Sequence, residues 1–340
     1  MVYLDQNHWV YLAQAATGSG TAAYGRVLDA LRSAAGLIVI PLSSVHYMEM
    51  AGNHRSGRSD VAGLMEELTG FVCLPPRSDV LTLEIDAALA QLIGTPLRYS
   101  RAQRLGRGVM QAWGMRGGLR IRSTDGEDLT AKTRQEWPGG PEAFEAWSCD
   151  ADAQLSRAVL RGPASEKADA EMQARGWDPT VARRIAEDRA AVERELVTML
   201  NAEPVYRRNR LRDVVSARFL WRDASDGLIE ELIAHGVATT RFAKLLERDI
   251  AVARSFTDSM PSGDAWISLV TAAHRNAFNP WKPNDIFDFD ALSVAIPYCD
   301  IVVTDHHACV LAHQARLPER LGATVIDSPD DLVDALDDLL

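Results

Sequence analysis

Cysteine is scarce in this chain. Four occur in 340 residues, at Cys73, Cys149, Cys299 and Cys309. None belongs to a C-x-x-C pair, so a structural zinc site is not expected. So few thiols make no disulfide framework, and they fit a reducing cytoplasm. No uncharged apolar run reaches about 18 residues, the length a helical membrane span needs. The opening MVYLDQNHW lacks a basic n-region and an apolar core, so it does not read as a signal peptide. Positive charge is in deficit, with 36 Lys and Arg against 47 Asp and Glu and a net charge of −11. No overall field draws nucleic acid, and any such binding falls to local basic patches. There is no serine elbow and no Cys–His pair, and neither an internal repeat nor a low-complexity tract. The glycines at 106, 108, 114, 117 and 118 do not have phosphate-loop spacing and suggest a mobile loop.

What is present is an ordinary globular composition, 47% hydrophobic and 24% charged, enough for a sizeable core. Both ends of the chain alternate short apolar strands with helices. Residues 2–5 read as a strand, and a helix follows from about Trp9 to Ala16. A second helix runs to about Ala35, with Gly36 as its C-cap. Leu37-Ile38-Val39-Ile40 reads as a buried strand closed by Pro41. Ser43 or Ser44 caps a helix that carries His46 and Glu49. Phe71–Leu74 is a third strand. Near the other end, 285–297 reads as a helix, 301–304 as a strand, 306–316 as a helix, 323–326 as a strand and 329–339 as a closing helix capped by Ser328. Between about 76 and 283 the pattern is helical, with no clear buried strand.

Strands that alternate with helices argue for parallel pairing through crossovers. Ligands of such sheets bind beyond the carboxyl ends of the strands. Val2-Tyr3-Leu4 runs into Asp5, and Ile301-Val302-Val303-Thr304 runs into Asp305. Side by side, the two carboxylates would repel unless a cation lay between them. Glu49, two turns into its helix, and Asp290 or its neighbours Asp288 and Asp285 can join them. Carboxylates of this kind hold Mg²⁺ or Mn²⁺. Two such ions can activate water and stabilise the leaving oxygen of a phosphodiester. Each acid also has a plainer reading. Asp5 and Asp305 suit helix caps, Glu49 an exposed helix position, and Asp285 and Asp288 the first turn of a helix. His46, His306 and His307 read first as packed or surface histidines, and Asn7 as a cap.

Four motifs in order carry a resemblance. They are Val2–Trp9, Ser43–Glu49, Asp285–Ala295 and Pro297–Asp305, and the run from Gly322 to Leu332 supports them. The pattern resembles the PIN-like nuclease superfamily over about residues 1–75 and 284–340. The resemblance implies an α/β, three-layer PIN-like fold with a central parallel sheet, here interrupted by a large α-helical insertion over 76–283. It implies cleavage of RNA, less often of single-stranded DNA, with Mg²⁺ or Mn²⁺ held by Asp5, Glu49, Asp305 and a third-motif acid. Asp290 is preferred in that place, with Asp288 close enough to substitute.

The helical middle holds the basic patches. Seven arginines and no acid lie between Arg98 and Arg122, and Arg98, Arg101, Arg104 and Arg107 recur every third residue. A second group contains Arg207, Arg208, Arg210, Arg212, Arg218 and Arg222. Such residues suit phosphate, with aromatics to stack on bases. They equally suit ion pairs with the acidic helices of the same chain. The sequence reading is therefore a metal-dependent ribonuclease, with RNA and an inhibitory protein as its expected partners. Two competing readings stand beside it: a non-catalytic nucleic-acid-binding module, and a metal-dependent phosphohydrolase of small molecules.

Overall fold

The computed structural model describes residues 1–52, 57–98, 105–115 and 119–339. It corrects the expected fold class. The chain is predominantly helical, 70% by residue, and is not a three-layer α/β fold of PIN-like type. Among the described residues there are five strands, each of two or three residues: β1 (Val2–Leu4), β2 (Val72–Cys73), β3 (Gly106–Arg107), β4 (Ile301–Val303) and β5 (Thr324–Ile326). The strand expected at 37–40 does not form. Leu37 is 74% exposed and Val39 38%, and only Ile40 of the run turns inward. Pairing here is limited to two isolated parallel bridges, the local Ala35–Ile38 and, beyond the run, Leu42–Cys73. Without that strand, the central sheet is too small to separate two helical layers.

The chain divides into two compact units, and the division differs from the expected one. The first comprises Met1–His8, Arg77–Arg104 and Thr180–Leu340, and the second Trp9–Pro76 and Leu105–Pro179. The helical middle is thus shared between both units rather than forming a separate insertion.

In the first unit, β1, β4 and β5 form a parallel sheet in the order β1-β4-β5. Val2, Tyr3 and Leu4 are fully buried, as are Val302 and Val303. Burying each such side chain is worth roughly 1.5–3 kcal/mol, which is ample to hold so short a sheet. The same unit contains the Pro261–Arg275 helix, every residue of which from Ser262 to His274 is buried. A helix with no wet face still has amide groups to satisfy at its start. Glu84 satisfies them: it accepts from the Ser262 amide at 2.8 and 3.0 Å, from the Ser262 hydroxyl at 2.6 Å and from the Gly263 amide at 3.4 Å. Tyr298 Oη donates to the same carboxylate. The Pro283–Tyr298 helix packs along this buried helix and starts as the sequence suggests, with Pro283 in its first turn and Asp285 accepting from the Lys282 amide at 2.8 Å.

In the second unit, β2 and β3 pair antiparallel, with Val72 opposite Arg107 and Cys73 opposite Gly106. The core contains Trp9, Leu12, Leu31, Tyr47, Met50 and Met65. Gly108 follows β3 with φ +79°, and a Cβ there would stand 1.6 Å from Asp152 Oδ2. Only glycine fits, because the backbone is left-handed and the carboxylate occupies the side-chain position.

Candidate metal centre

Register places the two strand-end aspartates. Leu4 pairs with Val303 across parallel strands, and the Asp5 amide donates to the Val303 carbonyl at 2.9 Å. Asp5 therefore leaves β1 at the edge where Thr304 and Asp305 leave β4. Asp288 reaches the same place from the Pro283–Tyr298 helix. One carboxylate oxygen from each of Asp5, Asp288 and Asp305 lies within 4.8 Å of the other two.

The three acids are held differently. Asp5 is 6% exposed; its Oδ1 accepts from the Gln6 amide at 2.6 Å and its Oδ2 from the Thr304 hydroxyl at 3.4 Å. Burial pushes the Asp5 carboxyl from 3.8 up to about 6; the Gln6 amide opposes the shift and the nearby Asp305 charge adds to it. Asp305 caps the His306–Gln314 helix, its Oδ1 accepting from the His307 amide at 2.6 Å and the Ala308 amide at 3.2 Å. For Asp305, cap and candidate ligand are compatible, since Oδ1 makes both cap bonds. This donor set suits a hard divalent cation: three carboxylates, one buried and reluctant to ionise without a positive neighbour.

Asp290 does not join them. Two residues apart on a helix, Asp288 and Asp290 point about 200° apart. Asp290 accepts from both terminal nitrogens of Arg189, one at 2.8 Å, and Arg77 stands 3.6 Å away. Its charge is taken up by Arg189, with Arg77 shared between it and Asp223. The preference for Asp290 as the third-motif acid is corrected in favour of Asp288. Glu49 belongs to the second unit, on the Ser44–Ala51 helix, and the three-carboxylate group is built wholly from the first. His46, three residues earlier, completes the cap of that helix, its Nδ1 accepting from the Ser43 amide at 2.9 Å.

Sequence reasoning passed over two neighbours of the cluster. Asp327 follows β5 as Asp5 follows β1, and it pairs with His306 Nδ1 at 2.6 Å. His8 Nε2 lies 3.2 Å from the Thr304 carbonyl. Burial lowers the His8 pKa, against the opposing pull of that carbonyl and of Asp305 and Asp327. The signal for Asp327 was available: all three parallel strands run into an aspartate within two residues.

A second group of possible ligand atoms, Asp86, Glu231 and His235, is already satisfied. Arg98 Nη1 donates to Glu231 at 2.6 Å, and the Arg98 amide donates to Asp86 at 2.9 Å. His235 Nε2 lies 2.8 Å from Asp86, and its Nδ1 lies 2.8 Å from the Thr95 hydroxyl. These bonds already supply Glu231 with a positive partner and Asp86 with two donors.

The arginines divide in a similar way. Arg98 is paired as described. Arg207 donates to the His274 carbonyl at 3.1 Å and to Asn201. Arg210 and Arg254 bind Asp213, Arg212 binds Asp258 and Asp264, and Arg218 binds Glu193. Arg107 and Arg208 are exposed and carry no side-chain partner among the described residues. Arg101 and Arg104 lie outside the described residues. Burial pushes the Cys73 and Cys299 thiols up to about 12 and that of Cys309 to about 11, so these three offer no thiolate at neutral pH.

No family model, curated protein or solved structure matches the chain. The resemblance to PIN-like nucleases therefore rests on the motifs alone. Among the described residues, no helix is long and apolar enough to cross a membrane.

Proposed function

We propose that this protein is a metal-dependent hydrolase of phosphodiester bonds, with RNA as its substrate. The observation that carries the reading is the meeting of Asp5, Asp288 and Asp305 at one sheet edge, from elements far apart in sequence. Asp5 and Asp305 are fixed by strand register and by amide hydrogen bonds, so their oxygens are arranged before any cation arrives. A bound Mg²⁺ or Mn²⁺ would offset the repulsion among these acids and supply Lewis-acid activation of water toward phosphorus. Asp288 closes the set from a helix anchored by the Asp290–Arg189 pair. The Thr304 hydroxyl and the Gln6 amide hold the Asp5 carboxylate in place, and His8 packs behind Thr304 through its carbonyl. The choice of RNA rests on the four sequence motifs.

The test is cleavage of single-stranded RNA, transfer RNA and single-stranded DNA with Mg²⁺, Mn²⁺ or EDTA. RNA cleavage that needs the metal and disappears in Asp305→Asn supports the reading. Equal activity in wild type and Asp305→Asn removes it. Metal-dependent turnover of small phosphate esters alone would favour the phosphohydrolase reading.

A further inference from the structure

A cavity of about 870 Å³ lies in the first unit, between the end of the Arg77–Ile93 helix and the Thr239–Arg248 helix. Its size is that of a small-molecule site. Its lining is of two chemical kinds. Arg241, Lys244 and Arg248 supply positive charge, and among the described residues no aspartate or glutamate lines the cavity. The spacing i, i+3, i+7 sets the three cations on one helix face. Among the described residues none of the three side chains has a hydrogen bond or an ion pair. Like charges three and four residues apart repel, so the arrangement works against the helix unless an anion is bound. In a chain with net charge −11, three cations without an acid partner among the described residues gather around one cavity.

The rest of the lining is largely hydrocarbon, with Leu92 and Ile93 from the first helix, Val237 from the preceding turn, and Phe242 and Leu245 from the helix that also carries the cations. Phe242 is buried and packs edge-on against Phe256 at 5.1 Å, so this wall is firm. Two of the neutral polar groups in the lining are already engaged. Thr95 and His235 line the cavity but are bonded to each other, and His235 is bonded to Asp86. A sugar or nucleobase needs several partners for its polar edge, and here it would find little beyond Thr240.

We propose that this cavity binds a phosphorylated amphiphile. Its phosphate or diphosphate head is held by Arg241, Lys244 and Arg248, and its hydrocarbon body lies against Leu92, Ile93, Phe242 and Leu245. Arginine and lysine together suit a multiply charged phosphate better than a single carboxylate. The site is separate from the carboxylate cluster and does not depend on its chemistry.

Calorimetric titration of the full chain with geranyl diphosphate tests the proposal. EDTA in the buffer keeps the carboxylate cluster out of the measurement. Inorganic pyrophosphate and ATP serve as comparison probes. The expected result is saturable binding of geranyl diphosphate, with both comparison probes at least tenfold weaker. The double variant Lys244→Glu/Arg248→Glu should bind at least tenfold more weakly while keeping its circular dichroism and its unliganded melting temperature. If that variant does not fold, Arg241→Gln gives the same reading, with a loss of threefold or more. Absence of binding overturns the proposal, as does unchanged affinity in the folded variants. Pyrophosphate or ATP binding as tightly as geranyl diphosphate overturns it too, because the hydrocarbon wall would then have no part.

Discussion

Arg189 grips Asp290 through both terminal guanidinium nitrogens, while Asp288, two residues earlier on the same helix, faces the strand-end aspartates. One helix therefore presents one acid to a structural pair and the other to the candidate metal centre. The two substitutions should separate cleanly. Asp288→Asn should abolish metal-dependent cleavage and weaken Mn²⁺ binding at least tenfold, with little loss of stability. Asp290→Asn should leave Arg189 and Arg77 without their shared carboxylate. Because this pair is partly exposed, the cost should be on the order of 2 kcal/mol, below the value for a fully buried pair. Its Mn²⁺ affinity should stay within a few-fold of wild type. Urea unfolding and Mn²⁺ titration of both variants decide the matter.

The pH dependence has a definite sign. Asp5 ionises near 3.8 when unfolded and at about 6 in the fold. A raised carboxyl gives stability that is fully present below the unfolded value and lost as pH rises through the folded one. Each pH unit between the two values is worth about 1.4 kcal/mol. Without metal, wild type should therefore lose about 3 kcal/mol relative to Asp5→Asn between about pH 4 and pH 6. Added Mn²⁺ at pH 7.5 should raise the wild-type melting temperature and leave that of Asp5→Asn unmoved. A flat difference between the two proteins across this range would contradict the assigned burial of Asp5.

Glu193 should act in the opposite direction. Although burial works against ionisation, the His274 and Arg218 hydrogen bonds prevail and hold its carboxyl at about 2. Its stabilising contribution is present above its unfolded value near 4.5 and is lost as pH falls toward 2. Glu193→Gln should therefore cost stability at pH 7 and cost little at pH 2.5. Denaturant titrations at the two pH values measure the difference.

Gly108→Ala should be severe. The new methyl group meets Asp152 Oδ2, and the backbone is in the left-handed region. A loss of roughly 2–4 kcal/mol follows from strain and a displaced carboxylate. The double variant Gly108→Ala/Asp152→Ala should recover the steric part and retain the backbone part. Additive losses in that cycle would mean that the two residues do not meet.

Glu84→Ala should destabilise more than most surface changes, by about 3 kcal/mol, because the Ser262 and Gly263 amides would be left buried without an acceptor. Hydrogen exchange should report the loss as faster opening of the first turn of the Pro261–Arg275 helix.

The parts of the fold that the sequence made legible are local. Apolar triplets ending in acid marked β1 and β4, and a similar triplet marked β5. Capping residues marked the helices that begin at Ser44, His306 and Pro329. Leu37–Ile40 has the composition of a buried strand, but composition cannot supply a partner strand, and the run makes only a single local bridge, from Ile38 to Ala35. The sharing of the middle segment between two units depends on contacts across long sequence separations, which no window of residues contains. At the candidate site, helical period alone separates Asp288 from Asp290. Which of the two faces the strand ends is set by Arg189, about a hundred residues away, and so could not be read from the motif. Asp327 was missed although it follows the same strand-then-acid rule as the two aspartates that were found.

Asp5 and Thr304, neighbours at the sheet edge, stand 299 positions apart along the chain. During synthesis the first strand must wait, unpaired, until the segment carrying Thr304 has left the ribosome. A product released before that point would hold Asp5 without Asp305 and could not gather a cation between them. An RNA hydrolase of the kind proposed would therefore be inert in any chain ended before the distant strand.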